Sequence, residues 1–223
     1  MPSGQGRVME QKPPSAENIW LSISLADYEA HMSLPEVGQA QALARELGRL
    51  LLEFKPASVA LVGCAGGNGL GEVDPAVTSR VVALDINPSF VAAADKRHGR
   101  RFATFEPVVC DVASDGEVPF KPVSLVFAGL LLEYVQPEKL LRFALESLER
   151  GGILACVVQL PCESLPEVTP SPFSSLEVLA PHISLVSPEA VVGRAEALGF
   201  SHISSRLNTM PNGKELLTLV FRK

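Results

Sequence analysis

Apolar positions along the chain follow two periods. Val37, Ala40, Leu43, Leu47, Leu50, Leu51 and Phe54 recur at helical spacing and mark one face of an amphipathic helix. Ser33-Leu34-Pro35-Glu36 reads as a capping box with proline in the first turn, so this helix is expected to open there and run to about Phe54. From residue 58 the pattern changes. Short apolar runs at 58–62, 81–85, 105–110, 123–128 and 153–160 alternate with helical patterns. These runs are apolar on both faces, which predicts parallel strands covered by helices on both sides. Asn87-Pro88 caps a helix that ends near Gly99, and Pro137 begins another that Gly151-Gly152 closes. Ser187-Pro188-Glu189 starts a last helix, which stops at Gly199. Two further strand-like runs, 201–208 and 215–222, are joined through Met210-Pro211-Asn212-Gly213. Asn-Gly is a strong hairpin signal, so the last strand is expected to run antiparallel to the others, at the sheet edge.

The remaining segments complete the organisation. Residues 1–15 are rich in Pro, Gly, Ser and Gln and read as a disordered tail. Residues 16–54 read as a helical cap, with Ala26–Met32 helical, and 55–223 as one α/β domain. Within it, 161–186 is a proline- and serine-rich insertion next to the carboxyl edge of the sheet, too long for an ordinary connection. At 223 residues, 47% apolar and 20% charged, the chain can bury a full core. A net charge of −6 leaves no footprint for nucleic acid, and Lys96–Arg101 reads as a basic helix end followed by an exposed loop. Cys64, Cys110, Cys156 and Cys162 show no CxxC spacing, so neither a metal nor a redox pair is expected. No apolar run approaches the roughly 18 residues that span a bilayer, and the first residues carry no signal-peptide core. These features predict a cytoplasmic protein without a membrane or nucleic-acid partner, either a monomer or a homodimer.

The candidate chemistry begins where the first strand ends. Ser58–Val62 runs into Gly63-Cys64-Ala65-Gly66-Gly67-Asn68-Gly69, and the next strand ends at Asp85. Glycine lets backbone approach a ligand, and an acid at a strand end can accept hydrogen bonds from ribose hydroxyls. A P-loop is excluded because no Lys-Ser or Lys-Thr follows these glycines. The dinucleotide pattern GxGxxG fails in register, with Ala65 and Asn68 at its second and third glycines. A looser GxGxG rule fits Gly63, Ala65 and Gly67 with one small replacement.

With Tyr28-Glu29-Ala30-His31-Met32, Val37-Gly38-Gln39 and this glycine loop, the chain resembles the class I S-adenosylmethionine-dependent methyltransferases over about residues 58–223. That resemblance implies a Rossmann-like three-layer α/β sandwich, with a seven-stranded, mostly parallel sheet and a C-terminal antiparallel hairpin strand. It also implies S-adenosyl-L-methionine as cofactor. Gly63, Cys64, Ala65, Gly67 and Asn68 would form the cofactor loop. Asp85, beside Ile86, would bind the ribose hydroxyls. Asp111 would bind the adenine amino group, with Val112 packed near the ring, and Gly129, Leu130 and the residues up to Tyr134 would flank the methyl group. The family often carries an acid where this chain has Leu61. Either the cofactor's amino group is then held less firmly, or a group in the Tyr28–His31 stretch takes over.

Methyl transfer needs alignment of a nucleophile, exclusion of water and, for a hydroxyl or ammonium acceptor, a base. Glu133, Tyr134 and His182 are the candidates, with Tyr28 and His31 behind them. Each also has a plain structural reading: a helix-start acid, a core tyrosine, an exposed loop histidine, or a helix that merely packs. The expected function is methyl transfer to an oxygen or nitrogen of a small-molecule acceptor. The alternatives are a non-catalytic regulator that binds the same cofactor, a nicotinamide-dependent oxidoreductase, and a methyltransferase acting on a macromolecule.

Overall fold

The computed structural model describes residues 18–162 and 164–223. The expected tail at 1–15 lies outside the described residues. A 3-10 turn at Ile19–Ser22 and helix α1 (Leu25–Ser33) lead into α2 (Gln39–Phe54). Then follow β1 (Ser58–Val62), β2 (Arg80–Asp85), α3 (Pro88–His98), β3 (Thr104–Val109), β4 (Val123–Gly129), α4 (Pro137–Ser147) and β5 (Leu148–Gln159). A 3-10 stretch at Ser174–His182, helix α5 (Pro188–Ala197), β6 (Ser201–Thr209) and β7 (Glu215–Arg222) complete the chain.

The sheet order is β3-β2-β1-β4-β5-β7-β6. The first five strands are parallel, and β7 pairs antiparallel with both β5 and β6. The antiparallel strand is therefore not at the edge as expected. It lies between β5 and β6, because the hairpin folds back so that its apolar second strand takes the buried place. β7 is mostly buried, whereas β6 is exposed along most of its length.

Alternation along the buried strands builds the three layers. Val59 and Leu61 of β1 point into the cluster with Leu43, Leu47 and Leu50 of α2, while Ala60 and Val62 join Leu140, Leu141 and Ala144 of α4 and Val191 of α5. A third cluster sits over the carboxyl edge of the sheet. There Ile23, Trp20 and Tyr28 from the N-terminal segment meet Phe90 of α3 and Leu176 and Leu179 of the insertion.

Three local expectations change. Ser33 does not open the long helix; it is the last residue of α1, which Ser24 caps. The residue before Pro35 is extended, as steric crowding by a proline demands, and α2 restarts after Gly38 in a left-handed conformation. Helix α4 stops at Ser147 instead of running to the glycine pair, because Leu148 already pairs with Val123 and the strand then shifts register. The helix expected between the apolar runs 58–62 and 81–85 is a single 3-10 turn, Leu70–Glu72. Among the described residues, no helix is long and apolar enough to cross a membrane.

Leu47 is fully buried between α2 and the sheet and packs against Gly69 of the loop. Leu47→Ala is expected to lower unfolding free energy by about 3 kcal/mol in urea titration, because its site cannot collapse around the lost volume.

Candidate functional site

The order β2-β1-β4 places the direction change of the sheet between β1 and β4, where ligands of open α/β sheets bind. The loop after β1 is unusual in its backbone. Gly63, Gly67 and Gly69 have φ of 72°, 92° and 83°, and Ala65 has φ of 45°. Alanine pays a steric penalty in this left-handed region that glycine does not. Asp85 holds it there. One carboxylate oxygen accepts from the Ala65 N–H at 3.0 Å and the other from the Asn87 N–H at 3.0 Å. Across the crevice Leu130, also left-handed at φ 54°, is held by a 2.8 Å bond from its N–H to the Val157 carbonyl.

Three cavities meet at this edge, and Tyr28 of α1 lines all of them. The largest, about 340 Å³, lies along the loop from Gly63 to Gly69, with Cys64, Asn68, Leu61, Glu29, Arg97 and Gly129 among its walls. The second, about 80 Å³, is bounded by Asp85, Ile86, Asp111, Val112, Phe90, Leu130 and Tyr134. The third, about 60 Å³, is lined by the polar Glu133, Tyr134, His31, Gln39 and Gln159 and by the apolar Trp20, Leu176, Leu179 and Ile183.

The structure thus brings together fourteen of the fifteen residues expected to act. Those on the first two walls are Gly63, Cys64, Ala65, Gly67, Asn68, Asp85, Ile86, Asp111, Val112 and Gly129, while Tyr28, Leu130 and Tyr134 reach into more than one cavity. Glu133 lines the third. His182 stands apart: it is exposed at the end of the Ser174–His182 stretch and lines none of the three cavities. That stretch turns its apolar Leu176 and Leu179 inward, which leaves the histidine facing solvent.

Glu133 is the buried acid of the third cavity. It is 2% exposed, and one oxygen accepts from the Gln159 N–H at 2.7 Å while the other, Oε2, has no partner. Burial pushes its carboxyl up from 4.5 to about 7, against the pull of backbone hydrogen bonds. Asp85 is also raised by burial, but the N–H groups of Asn87, Ala65 and Ile86 oppose the rise. His31 is buried with Nδ1 unpartnered, and burial lowers its basicity, helped by the nearby charge of Lys214. Burial pushes the Tyr28 and Tyr134 phenols well above their ordinary range. Cys64 and Cys110 are raised as well, Cys110 to about 11, so neither is a ready nucleophile.

Several wall residues were not singled out in the sequence. Gln39 donates to Gln159 at 3.1 Å, and Gln159 donates to the Glu167 carbonyl at 3.0 Å, which makes an amide floor for the third cavity. Gln159 ends a strand on the same edge as Asp85, and that position is the signal that could have found it. Arg97 lies in the basic last turn of α3, as expected, and from there reaches the Gly66 carbonyl at 3.1 Å and the Glu29 carboxylate. No pattern within α3 marks that contact.

These features fit S-adenosylmethionine. Left-handed loop backbone leaves room for close approach at Gly63, where an added Cβ would find nothing nearer than Leu131 at 3.5 Å. Asp85 and Asp111 line one cavity, so both acids are available to a single ligand there. Unpartnered buried atoms, Glu133 Oε2, His31 Nδ1 and Trp20 Nε1, line the second and third cavities.

Comparison with known proteins agrees. Residues 61–156 match the family model described as a methyltransferase domain. No curated protein sequence matches the chain. The N-methyltransferase NodS of Bradyrhizobium japonicum WM9, crystallised with S-adenosylhomocysteine, is similar at 15% identity and a TM-score of 0.60, over 89% of this chain and 97% of that one. Magnesium protoporphyrin IX methyltransferase of Synechocystis PCC 6803, also with S-adenosylhomocysteine bound, is similar at 12% identity and a TM-score of 0.69, over 92% and 95%. A third, an S-adenosylmethionine-dependent methyltransferase from Mesorhizobium loti, is 16% identical with a TM-score of 0.62, over 81% and 98%. Likeness at such identity establishes the fold.

Two outcomes follow from the paired carboxylates. Asp85→Ala strands the N–H groups of Ala65 and Asn87, so a loss of about 2–4 kcal/mol is expected in urea unfolding. For Glu133, the folded chain keeps a proton that the unfolded chain releases between its ordinary 4.5 and about 7. Stability should therefore fall as pH rises through that window, by about 3 kcal/mol in total. Urea midpoints at about pH 5 and about pH 8 measure the fall, and Glu133→Gln should flatten it.

Proposed function

We propose that this chain, which carries a methyltransferase domain over residues 61–156, transfers the methyl group of S-adenosylmethionine to an oxygen or nitrogen of a small-molecule acceptor. The observation that carries this reading is Glu133. Its free oxygen is buried and unpartnered, and the residue lines the third cavity, which shares Trp20, Tyr28, Leu130 and Tyr134 with the second.

The cofactor supplies a methyl group already activated by a positively charged sulfur. What remains for the protein is positioning, a dry environment and one proton. Gly63, Ala65, Gly67, Asp85 and Asp111 would hold the cofactor. Glu133 Oε1 is fixed by Gln159, so Oε2 is left to accept the proton of an acceptor hydroxyl or ammonium. His31, with Nδ1 buried and unpartnered, offers a second polar group to the same cavity, which Tyr28 and Tyr134 also line.

The segments expected to cap the site support a small acceptor. Trp20 contacts Tyr28 and Tyr134 edge to face, at 5.5 and 4.9 Å between ring centres, and its carbonyl accepts from Asn87 at 2.9 Å. The insertion is tied down by Ser175 to Asp27 at 2.5 Å and by Lys214 to the Glu167 carbonyl at 2.7 Å. We read the segment from residue 18 to the end of α1, together with residues 164–186, as one lid over the site, with α2 part of the sheet's own covering layer. Such a lid admits a small molecule more readily than a macromolecule, and the net charge of −6 disfavours nucleic acid.

Calorimetry with S-adenosylmethionine, followed by mass spectrometry on a panel of small hydroxy compounds and amines, tests the reading. Absence of binding overturns it, and binding without transfer to any acceptor favours the regulator. With an acceptor in hand, Glu133→Gln is expected to lower kcat by roughly 10²–10³, with cofactor affinity kept within about threefold. As a base, Glu133 must lose its proton, so the rate should climb as pH rises through about 7.

A further inference from the structure

We infer that the ion pair between Arg97 and Glu29 is the dock for the amino-acid end of the cofactor, with Arg97 taking its carboxylate and Glu29 its ammonium. The inference rests on the S-adenosylmethionine reading above. That end of the molecule is a zwitterion, and the cavity along the glycine loop must receive it if adenosine lies against Asp85 and Asp111 and the methyl group faces the chamber of Glu133. Among the side chains that line this cavity, Glu29 is the one acid and Arg97 the one permanent cation.

The pair lies on the loop itself. Arg97 donates to the Gly66 carbonyl at 3.1 Å and to both oxygens of Glu29, one of them at 3.0 Å. A methyl group on Gly66 would overlap both side chains. Leu61 offers no alternative: it is 3% exposed and packs in one cluster with Met32, Leu43 and Phe127. An ammonium there would face only apolar surface, which costs free energy unless it is paired.

Charge also balances. The pair is neutral, so a zwitterion laid against it leaves no group uncompensated, and a guanidinium fork suits a carboxylate in two-point contact. As a strap alone, the pair would add little, because Arg97 and Glu29 side chains are 45% and 32% exposed.

Calorimetric titration with two ligands tests this. S-adenosylhomocysteine carries the whole amino-acid end, and 5′-methylthioadenosine lacks it. Glu29→Gln and Arg97→Gln are each expected to weaken S-adenosylhomocysteine about tenfold and to leave methylthioadenosine within about twofold. Arg97→Lys keeps the charge but loses the fork, and should fall between parent and Arg97→Gln. Retained methylthioadenosine binding reports an intact site in each variant. Equal losses for both ligands, or no loss for either, overturn the inference. Failure of the parent chain to bind either ligand overturns the cofactor reading, and this inference with it.

Discussion

The site depends on one carboxylate. Asp85 ends a parallel strand at the sheet's direction change and takes two backbone N–H groups, one from Ala65 and one from Asn87. The first bond holds an alanine in a conformation it would otherwise leave. The second fixes the turn that starts α3, whose Asn87 side chain then caps the helix through the Ser89 N–H and ties the Trp20 carbonyl. Loop, helix and N-terminal segment are therefore oriented by the same side chain. Through α3 the effect reaches Phe90, which stacks near Tyr28 at 6.4 Å.

Above that frame, the N-terminal segment and the insertion pack together. They share an apolar cluster, and neither has a core of its own. Tyr28 sits where the three cavities join, so the element that covers the site also forms part of its walls. Sheet and lid supply different things: the sheet edge presents acids at fixed strand ends, and the lid presents aromatic edges, Glu29 and His31.

What the sequence made legible follows from local chemistry. Strand ends at Asp85 and Asp111, the Asn87-Pro88 cap, the Asn212-Gly213 turn and the glycine loop are each decided by a few neighbouring residues. Boundaries that depend on distant partners were not legible. Helix α4 yields Leu148 to β5 because Val123 is there to pair with it, and β7 enters the sheet ahead of β6 because the buried place rewards its apolar residues. Which of Arg97 and His182 meets another element was not legible, for one shared reason. A charged side chain near a helix end looks alike whether it meets solvent or another element, and only the packing of α1 against the loop brings Arg97 to Glu29. Gln39 and Gln159 are separated by 120 residues, and nothing local joins two neutral amides.

The two buried acids show how environment divides labour. Asp85 is surrounded by donors, each of which favours the ionised form against burial. Its oxygens are occupied in shaping the loop, and a group so engaged is a poor proton carrier. Glu133 has one fixed oxygen and one free, and the amides nearest it, Gln39 and Gln159, are neutral. With no cation in contact, burial dominates and places its titration near 7. That is the range in which a carboxyl can both take and release a proton at neutral pH. Two buried acids at the carboxyl edge of one sheet thus yield a structural clamp at the end of β2 and a candidate base in the turn after β4. The difference lies in how many N–H groups the backbone directs at each.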